Sequence, residues 1–280
     1  MNHTIVYCSP NGSTRHVAEV IADRLSEAGC DRTLLDIGEN GADVGRIIAS
    51  QNPAQGTCLW IGSPVYVDHP IPLIESFICR LPQTHGWYAA PFVTWGGVTS
   101  GTALYEMAQD LTRRGCVLIG AAKVIAVHSS LWRVSSPLGE HHPDARDDRA
   151  IQELVDQILK MFSAGPIKGM PLEELDYQSP AIKADAQHSS IASAKLGRPR
   201  LRVDEKKCIQ CGQCAEMCPA QAITLTPFPQ IGADCFICLK CVRECPQEAF
   251  PFDAHATEKR LRAMAVSINE QPLTQIFCHF

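Results

Sequence analysis

Eight of the chain's 14 cysteines fall between Cys208 and Cys245. They form two copies of one spacing, C-x2-C-x2-C-x3-C-P, which begin at Cys208 and at Cys235. Zinc ribbons use paired C-x2-C units that close a tetrahedron, whereas cysteine triplets at this spacing, followed by C-P, bind iron–sulfur cubanes. The repeat therefore favours two [4Fe–4S] clusters over a pair of zinc sites.

The fourth cysteine of each run lies beyond a helical turn and faces away from its own loop, so it ligates the cluster of the other run. The predicted first quartet is Cys208, Cys211, Cys214 and Cys245, and the predicted second quartet is Cys235, Cys238, Cys241 and Cys218. Four basic residues near these ligands either raise the cluster potentials or are solvated surface charges: Lys206, Lys207, Lys240 and Arg243.

A second group of residues, Ser9-Pro10-Asn11-Gly12-Ser13-Thr14, lies between a predicted strand and a predicted helix. Unpaired N–H groups and the positive dipole end of a helix N-terminus suit a phosphate, although a capped helix after an ordinary turn is the alternative. The loop has neither the G-x4-G-K-[ST] pattern of nucleoside triphosphatases nor the G-x-G-x-x-G of nicotinamide sites.

Two further loops, Gly62 to Tyr66 and Trp95 to Gly101, follow neighbouring predicted strands. Open α/β sheets bind ligands at these carboxyl ends. Tyr66 and Trp95 are suited to contact a flat ring, although each aromatic alone is more often simple packing. Together the three loops predict a flavin site. Its residues are Ser9, Asn11, Gly12, Ser13, Thr14, Ser63, Pro64, Val65, Tyr66, Thr94, Trp95, Gly96 and Gly97.

These loops belong to a region in which strand-like and helix-like segments alternate. The predicted strands are 4–9, 33–37, 57–63, 91–95 and 117–127, and the predicted helices are 13–28, 44–50, 70–80, 102–114 and 147–162. Such alternation predicts an α/β fold with a parallel sheet that is covered on both faces.

Residues 164–200 form a connector with little periodicity, apart from a short predicted helix at 180–187. A flexible coil of this length would hold the two cofactor centres roughly 30 Å apart or more. We therefore expect the connector to dock on the first domain through Ile167, Leu172, Leu175, Tyr177 and Ile182. A last predicted helix at 256–268 precedes an apolar tail that is expected to join the same interface through Ile276, Phe277 and Phe280.

Residues 9–14 look like the flavodoxin phosphate loop, residues 62–66 resemble that family's second flavin loop, and residues 201–253 resemble bacterial two-cluster ferredoxins. Over nearly all of residues 1–253 the chain resembles the flavodoxin–ferredoxin fusion proteins of anaerobic bacteria and archaea. The resemblance implies a flavodoxin-like FMN-binding domain at 1–163, a doubly wound five-stranded parallel sheet of order 2-1-3-4-5. It also implies a small α+β ferredoxin-like domain at 201–255, before the C-terminal helix and tail at 256–280.

Two features depart from that resemblance. Pro10 and Ser13 replace the commoner residues of the phosphate loop. Short-chain flavodoxins lack a segment like 128–148, which we expect to be a lid, a partner surface or a solvated loop.

Charge and composition exclude some classes of partner and location. A net charge of −5 argues against nucleic acid as a partner. The N-terminus shows no signal-peptide pattern, and the longest apolar stretch, 116–127, is too short to span a bilayer. We therefore expect a cytoplasmic protein without a membrane span, whose scattered cysteines do not form disulfides.

These features predict an electron relay between two low-potential clusters and FMN, from a low-potential donor to an acceptor protein or small molecule. Its partners would be redox proteins, and transfer would occur within one chain or between the chains of a homodimer. A flavin-dependent reductase of a bound small molecule is the alternative, so whether the protein is an enzyme stays open. A redox sensor or assembly subunit is the third hypothesis, and the sequence has no ligand set for a flavodiiron protein.

Overall fold

The computed structural model describes residues 1–39, 56–83, 86–197 and 200–279. Strands and helices alternate through the N-terminal part, as the sequence predicts. In chain order they are β1 Asn2–Tyr7, α1 Ser13–Glu27, β2 Arg32–Asp36, β3 Thr57–Tyr66, β4 His69–Pro70, α2 Pro72–Arg80, β5 Tyr88–Trp95, α3 Ala103–Arg113, β6 Val117–Leu118, β7 Ala121–Ile125 and α4 Ala145–Ala164. The predicted helix at 44–50 lies outside the described residues.

The main strands form one parallel sheet in the order β2-β1-β3-β5-β7. This is the 2-1-3-4-5 order of the flavodoxin-like fold, so the predicted topology is confirmed. Residues 57–64 of the central strand β3 are all buried, because helices cover both faces of a parallel sheet. The predicted fifth strand is divided into β6 and β7. A Cβ on Gly120, between them, would lie 2.9 Å from Leu154.

Two hydrophobic layers hold the helices against this sheet. On one face, α1 buries Val17, Ile21 and Leu25 at helical spacing beside residues of α4. On the other face, α2 and α3 bury a second apolar cluster. The carboxyl ends of the strands are thereby fixed relative to one another, which positions the loops of the predicted flavin site.

A sixth strand comes from the C-terminal tail. β10, Gln275–Phe277, pairs antiparallel with β7 at the sheet edge, with Phe277 opposite Ala121. The ring of Phe277 stacks on Tyr177 with centroids 5.4 Å apart. The predicted contacts of Ile276 and Phe277 are confirmed, and Phe280 lies outside the described residues. The tail thus joins the sheet that it was expected only to touch.

The connector crosses the surface of the first domain. It contains a 3-10 turn at Leu172–Leu175 and two helices, α5 Pro180–His188 and α6 Ile191–Leu196. Leu175 is buried, and Ile167, Leu172 and Tyr177 pack against the two cores, which confirms the predicted docking for these four residues. Ile182 is half-buried and belongs to neither cluster.

His69 fastens the connector to the domain. Its Nδ1 lies 2.9 Å from both carboxylate oxygens of Glu106, and its Nε2 lies 3.0 Å from the carbonyl oxygen of Ala186. The bond to Glu106 raises the pKa of His69 to about 9, against the opposing effect of burial. The ring is therefore protonated at neutral pH, and its Nε2 donates to the connector.

The cysteine-rich part is a small α+β unit, as predicted. Its elements are α7 Gln213–Glu216, β8 Ile223–Leu225, β9 Pro229–Ile231 and α8 Lys240–Arg243, and the longer helix α9, Ala254–Ile268, follows. β8 and β9 pair as an antiparallel ladder. No helix among the described residues has the length and apolar character needed to cross a bilayer.

Candidate cofactor sites

The structure groups the eight cysteines of the repeat around two cavities. One cavity, of about 400 Å³, is lined by all four cysteines of the first quartet and also by Cys241 of the second. The other, of about 360 Å³, is lined by the four cysteines of the second quartet. The fourth cysteine of each run therefore lies beside the cavity of the other run, which agrees with the crossed ligation that the spacing predicts.

The backbone of the two runs repeats along with the spacing. Each run has three residues with positive φ at the same positions, in the equivalent pairs Gln210 and Ile237, Gly212 and Leu239, Gln221 and Glu248. A positive φ is rare for bulky or β-branched residues. Leu239 at 61° and Ile237 at 52° adopt it nonetheless, so the loop must turn its backbone this way around the cavity.

Backbone amides point at several of the thiols. Ala222 donates its N–H to Cys218 Sγ at 3.4 Å, and Ala249, its counterpart in the repeat, donates to Cys245 Sγ at 3.3 Å. Ile237 donates to Cys235 Sγ at 3.4 Å. Such N–H donors stabilise thiolate sulfur and tune the potential of a bound cluster.

The separation of the sulfur atoms distinguishes the two candidate metals. Four thiolates around one zinc ion, with Zn–S near 2.3 Å, would lie about 3.8 Å apart. Within the described residues, the group of three or more candidate ligand atoms that lie within 4.8 Å of one another is His142, Asp144 and Asp147. No described cysteine belongs to that group, so no three of these thiols converge as closely as one zinc ion would hold them.

The two quartets differ in exposure. Around the first, Cys211 is exposed, and Ile209 keeps 61% of its surface in contact with solvent. Around the second, Cys241 is buried, and Phe236, the counterpart of Ile209, is 2% exposed. Burial raises the pKa of the Cys238 thiol to about 12. The second quartet is therefore enclosed by protein, and the first faces solvent.

A cleft of about 1060 Å³ lies at the carboxyl ends of β1, β3, β5 and β7, where the sequence predicts the flavin. Ten of the 13 predicted flavin residues line it: Ser9, Asn11, Ser13, Thr14, Pro64, Val65, Tyr66, Thr94, Trp95 and Gly96. Gly12, Gly97 and Ser63 do not. The hydroxyl of Ser63 donates to Pro64 O at 2.9 Å and accepts from Ile71 N at 3.0 Å, so Ser63 is held inside the fold.

The first loop has the donor set of an anion site. Gly12, at φ 94°, precedes α1. In the described structure the N–H groups of Gly12, Ser13 and Thr14 have no acceptor, whereas Arg15 N donates to Ser9 Oγ at 2.9 Å. Thr14 Oγ1 lies 2.8 Å from Thr94 Oγ1, which joins this loop to the end of β5. Three free amides at a helix N-terminus fit a phosphate.

The aromatic residues border the same cleft. Tyr66 accepts a hydrogen bond from Asn11 Nδ2 at 2.6 Å. Trp95 is buried, and its indole N–H finds no acceptor within the described part of the chain. Buried donors are seldom left unpaired, so a ligand with acceptor atoms suits this position. The residues present therefore fit a flavin, whose ring carries such acceptors beside its flat apolar face.

Several lining residues were not predicted from the sequence. Val127, His128, Ser129 and Ser130 come from the segment that follows β7, and Ile237, Arg260, Leu261 and Met264 come from the cysteine-rich part and α9. The first four follow the carboxyl end of β7, so the rule that places ligands at strand ends could have found them. The last four carry no local motif, because they reach the cleft only through packing of distant parts of the chain.

The segment 128–148 is a docking surface for the chain itself. Leu131 is buried with Val98 and Leu261. Trp132 stacks on Phe252 with centroids 4.6 Å apart, and Arg133 pairs with Glu248 at 3.0 Å. The segment therefore packs on the cysteine-rich part and on α9 of the same chain, and its expected roles as a lid or as a surface for a partner protein stay predictions.

A family profile described as a 4Fe-4S binding domain matches residues 201–224, which include the first run of cysteines. The chain thus joins a sheet of flavodoxin-like topology to a segment that matches a 4Fe-4S binding domain. The iron–sulfur assignment rests on the profile and the repeat, and the flavodoxin-like assignment rests on the strand order of the sheet.

Solved structures with related folds cover the flavodoxin-like part of the chain. Rubredoxin oxygen:oxidoreductase from the anaerobe Desulfovibrio gigas is 19% identical, with a TM-score of 0.47 over 58% of this chain and 36% of that one. This chain thus spans about a third of that protein's length. An archaeal flavodoxin is 17% identical, with a TM-score of 0.42 over 57% of this chain and 97% of its own. An NADH:FMN oxidoreductase in its apo form is 18% identical, with a TM-score of 0.45 over 59% and 91%. A search of curated proteins gave no match.

Proposed function

We propose that the protein relays electrons between two [4Fe–4S] clusters and FMN within one chain. The observation that carries this proposal is the position of the second quartet against the predicted flavin cleft. Ile237, between ligands Cys235 and Cys238, lines the cleft. The carbonyl oxygen of Cys238 accepts from Asn11 Nδ2 of the phosphate loop at 3.5 Å.

Further contacts hold the two centres together. The Arg243 guanidinium donates to Pro10 O at 3.1 Å and to the side-chain oxygen of Asn11. The rings of Tyr66 and Phe236 lie with centroids 6.1 Å apart. The second quartet and the phosphate loop therefore share an interface, and electron transfer across it requires no second copy of the chain.

The exposure of the quartets favours one route. The first quartet faces solvent and suits exchange with a low-potential donor protein, and the second quartet adjoins the flavin cleft. FMN accepts one or two electrons and so joins the one-electron chemistry of the clusters to an acceptor protein or small molecule. The three free amides of the first loop favour FMN over FAD, since they suit a terminal phosphate. Because α9 covers part of the cleft, the geometry favours the relay over a reductase with an open flavin face.

An anaerobic rapid-mixing experiment tests this relay. The parent should contain on the order of eight irons per chain and one FMN, and its flavin should be reduced at a rate that is independent of protein concentration. Cys238→Ala should lose the second cluster and slow cluster-to-flavin transfer at least about a hundredfold, because tunnelling from the more distant cluster is slow. Cys211→Ala is the matched ligand variant and should retain the second cluster.

Iron and flavin content, with circular dichroism, would establish that both variants fold. A rate that rises linearly with protein concentration would show transfer between molecules instead. Tightly bound zinc with little iron, or release of FAD on acid extraction, would contradict the cofactors proposed.

A further inference from the structure

Parts of the chain outside the flavodoxin-like sheet cover the predicted flavin cleft. Arg260, Leu261 and Met264 of α9 line it. Leu261 is buried against Val98, in the loop that follows Trp95, and against Leu131. α9 therefore packs on the aromatic end of the cleft, where the ring is expected.

A buried ion pair holds the segment that follows α9 against the sheet. Shortly after α9, Glu270 Oε1 lies 2.9 Å from Lys123 Nζ, and the two side chains are 9% and 7% exposed. Glu270 also accepts from the backbone N–H of Ser100 at 2.8 Å and from its hydroxyl at 2.5 Å. Burial alone would raise the pKa of Glu270, but the bonds from Lys123 and Ser100 outweigh it and lower the pKa. The segment that follows α9 is thus bonded to Ser100, in the loop that borders the cleft.

Arg260 is exposed to solvent and brings a positive charge to this position. Among the described residues that line the cleft, Arg260 is the one that is always cationic, and Asp68 is the one carboxylate. Burial raises the pKa of Asp68, and no ion pair joins it to Arg260 among the described residues. In the described part of the chain, Arg260 makes one hydrogen bond, to Met264 Sδ at 3.5 Å. Sulfur is a weak acceptor, and a guanidinium has five donors, so Arg260 is available to an anionic ligand.

We propose that Arg260 binds the anionic edge of the reduced flavin ring and favours reduction of the bound flavin. This inference rests on the proposed flavin site. When the flavin takes up two electrons from the clusters and one proton from solvent, its ring gains one negative charge. A guanidinium beside that edge stabilises the charged product more than the neutral oxidised ring, because charge-assisted hydrogen bonds are stronger than neutral ones.

The test is the midpoint potential of bound FMN, measured by equilibrium titration of the intact protein. Arg260→Gln should weaken the preference for reduced over oxidised flavin about tenfold, a shift of about 30 mV to lower potential for a two-electron couple. Arg260→Lys should retain part of the effect. Arg262→Gln is the matched control, because it removes the same charge from the same helix while Arg262 pairs with Glu258 at 2.8 Å.

Equal shifts of the midpoint potential in Arg260→Gln and Arg262→Gln would show that only the net charge of the protein matters. That result would overturn the proposal. Weaker binding of FMN but not of riboflavin in Arg260→Gln would place the guanidinium at the phosphate and overturn it as well. If the parent bound no flavin, the proposed function itself would fail, and this result is separate from any difference among the variants.

Discussion

The two cysteine runs have the same spacing and the same left-handed backbone positions, yet they occupy different surroundings. Ile209 and Glu216 of the first run face solvent. Their counterparts in the second run, Phe236 and Arg243, contact the flavodoxin-like domain. The repeat determines the course of each loop around its cavity, and the side chains at the variable positions determine what each cavity adjoins. One repeated motif thus lines one solvent-facing cavity and one cavity next to the predicted flavin cleft.

The largest expected effect tests the crossing of ligands between the runs. Cys218→Ser should remove the buried cluster and match Cys238→Ser in its low-temperature EPR spectrum, because both cysteines line one cavity. Cys245→Ser should instead match Cys211→Ser, with the exposed cluster lost. Identical spectra for Cys218→Ser and Cys214→Ser would assign both cysteines to one cluster and contradict the crossing.

A second test exploits the repeat-related pair Arg243 and Glu216. Arg243→Gln removes charge-assisted bonds to the phosphate loop, so the dissociation constant for FMN should rise roughly thirtyfold, since such bonds contribute about 2 kcal/mol. Fluorescence titration of the flavin-free protein measures this change. Glu216→Gln, at the equivalent exposed position of the first run, should leave the constant unchanged. Equal effects would mean that the two runs are not distinguished by the interface.

The connector supplies a pH-dependent test, because it adjoins the second run: Lys195 Nζ donates to Ala233 O at 2.6 Å. The pKa of His69 is raised from 6.5 to about 9 in the folded protein. Its protonated ring therefore stabilises the fold fully below about pH 6.5, and this contribution is lost as the pH rises through about 9. Allowing for solvent screening, the contribution is about 1 to 2 kcal/mol.

Anaerobic thermal unfolding between pH 6 and pH 10 measures this contribution. The parent should be more stable than His69→Gln at pH 6, and the difference should shrink above pH 9. A difference that stayed constant across this range would show that the ring acts without its charge.

The smallest effect concerns the left-handed position that the two runs fill differently. Gly212, at φ 78°, has no steric conflict, whereas its counterpart Leu239 adopts φ 61°. A Cβ on Gly212 would meet Leu225 at an ordinary 3.5 Å, so Gly212→Ala adds only conformational strain, about 1 kcal/mol. The rate of cluster loss in guanidinium chloride should rise about fivefold. Ala215→Gly, which lies in the helix of the same run, controls for general loosening.

Local patterns were sufficient for much of this molecule. Continuous apolar runs identified the buried strands, as in β3, and the spacing of Val17, Ile21 and Leu25 identified α1. The cysteine spacing predicted both quartets, because a cubane requires sulfurs from a loop with two intervening residues. Prediction stopped short at Gly120, which divides the fifth strand. A Cβ there would meet Leu154 at 2.9 Å, and the local sequence does not encode this close approach.

Ser63 shows the limit for the flavin site. It lies near the expected edge of the sheet, yet its hydroxyl accepts a hydrogen bond from the backbone N–H of Ile71 and does not line the cleft. Arg260 shows the opposite case, a cleft residue in a helix without any motif. Both outcomes depend on side-chain direction and on the docking of remote elements, which pattern and spacing do not specify.

By itself, the sequence determined the alternation of strands and helices. It predicted the sheet order through its resemblance and two cysteine quartets through their spacing. These follow from periodicity and from residue spacing, which act over short stretches of chain. Only the tertiary structure decided that β10 pairs with the sheet edge, that the second quartet adjoins the predicted flavin cleft, and that α9 covers part of this cleft. Those choices arise from burial of Phe236, Leu261 and Phe277 against surfaces far away in the chain, where the free energy depends on shape and on contact between distant elements.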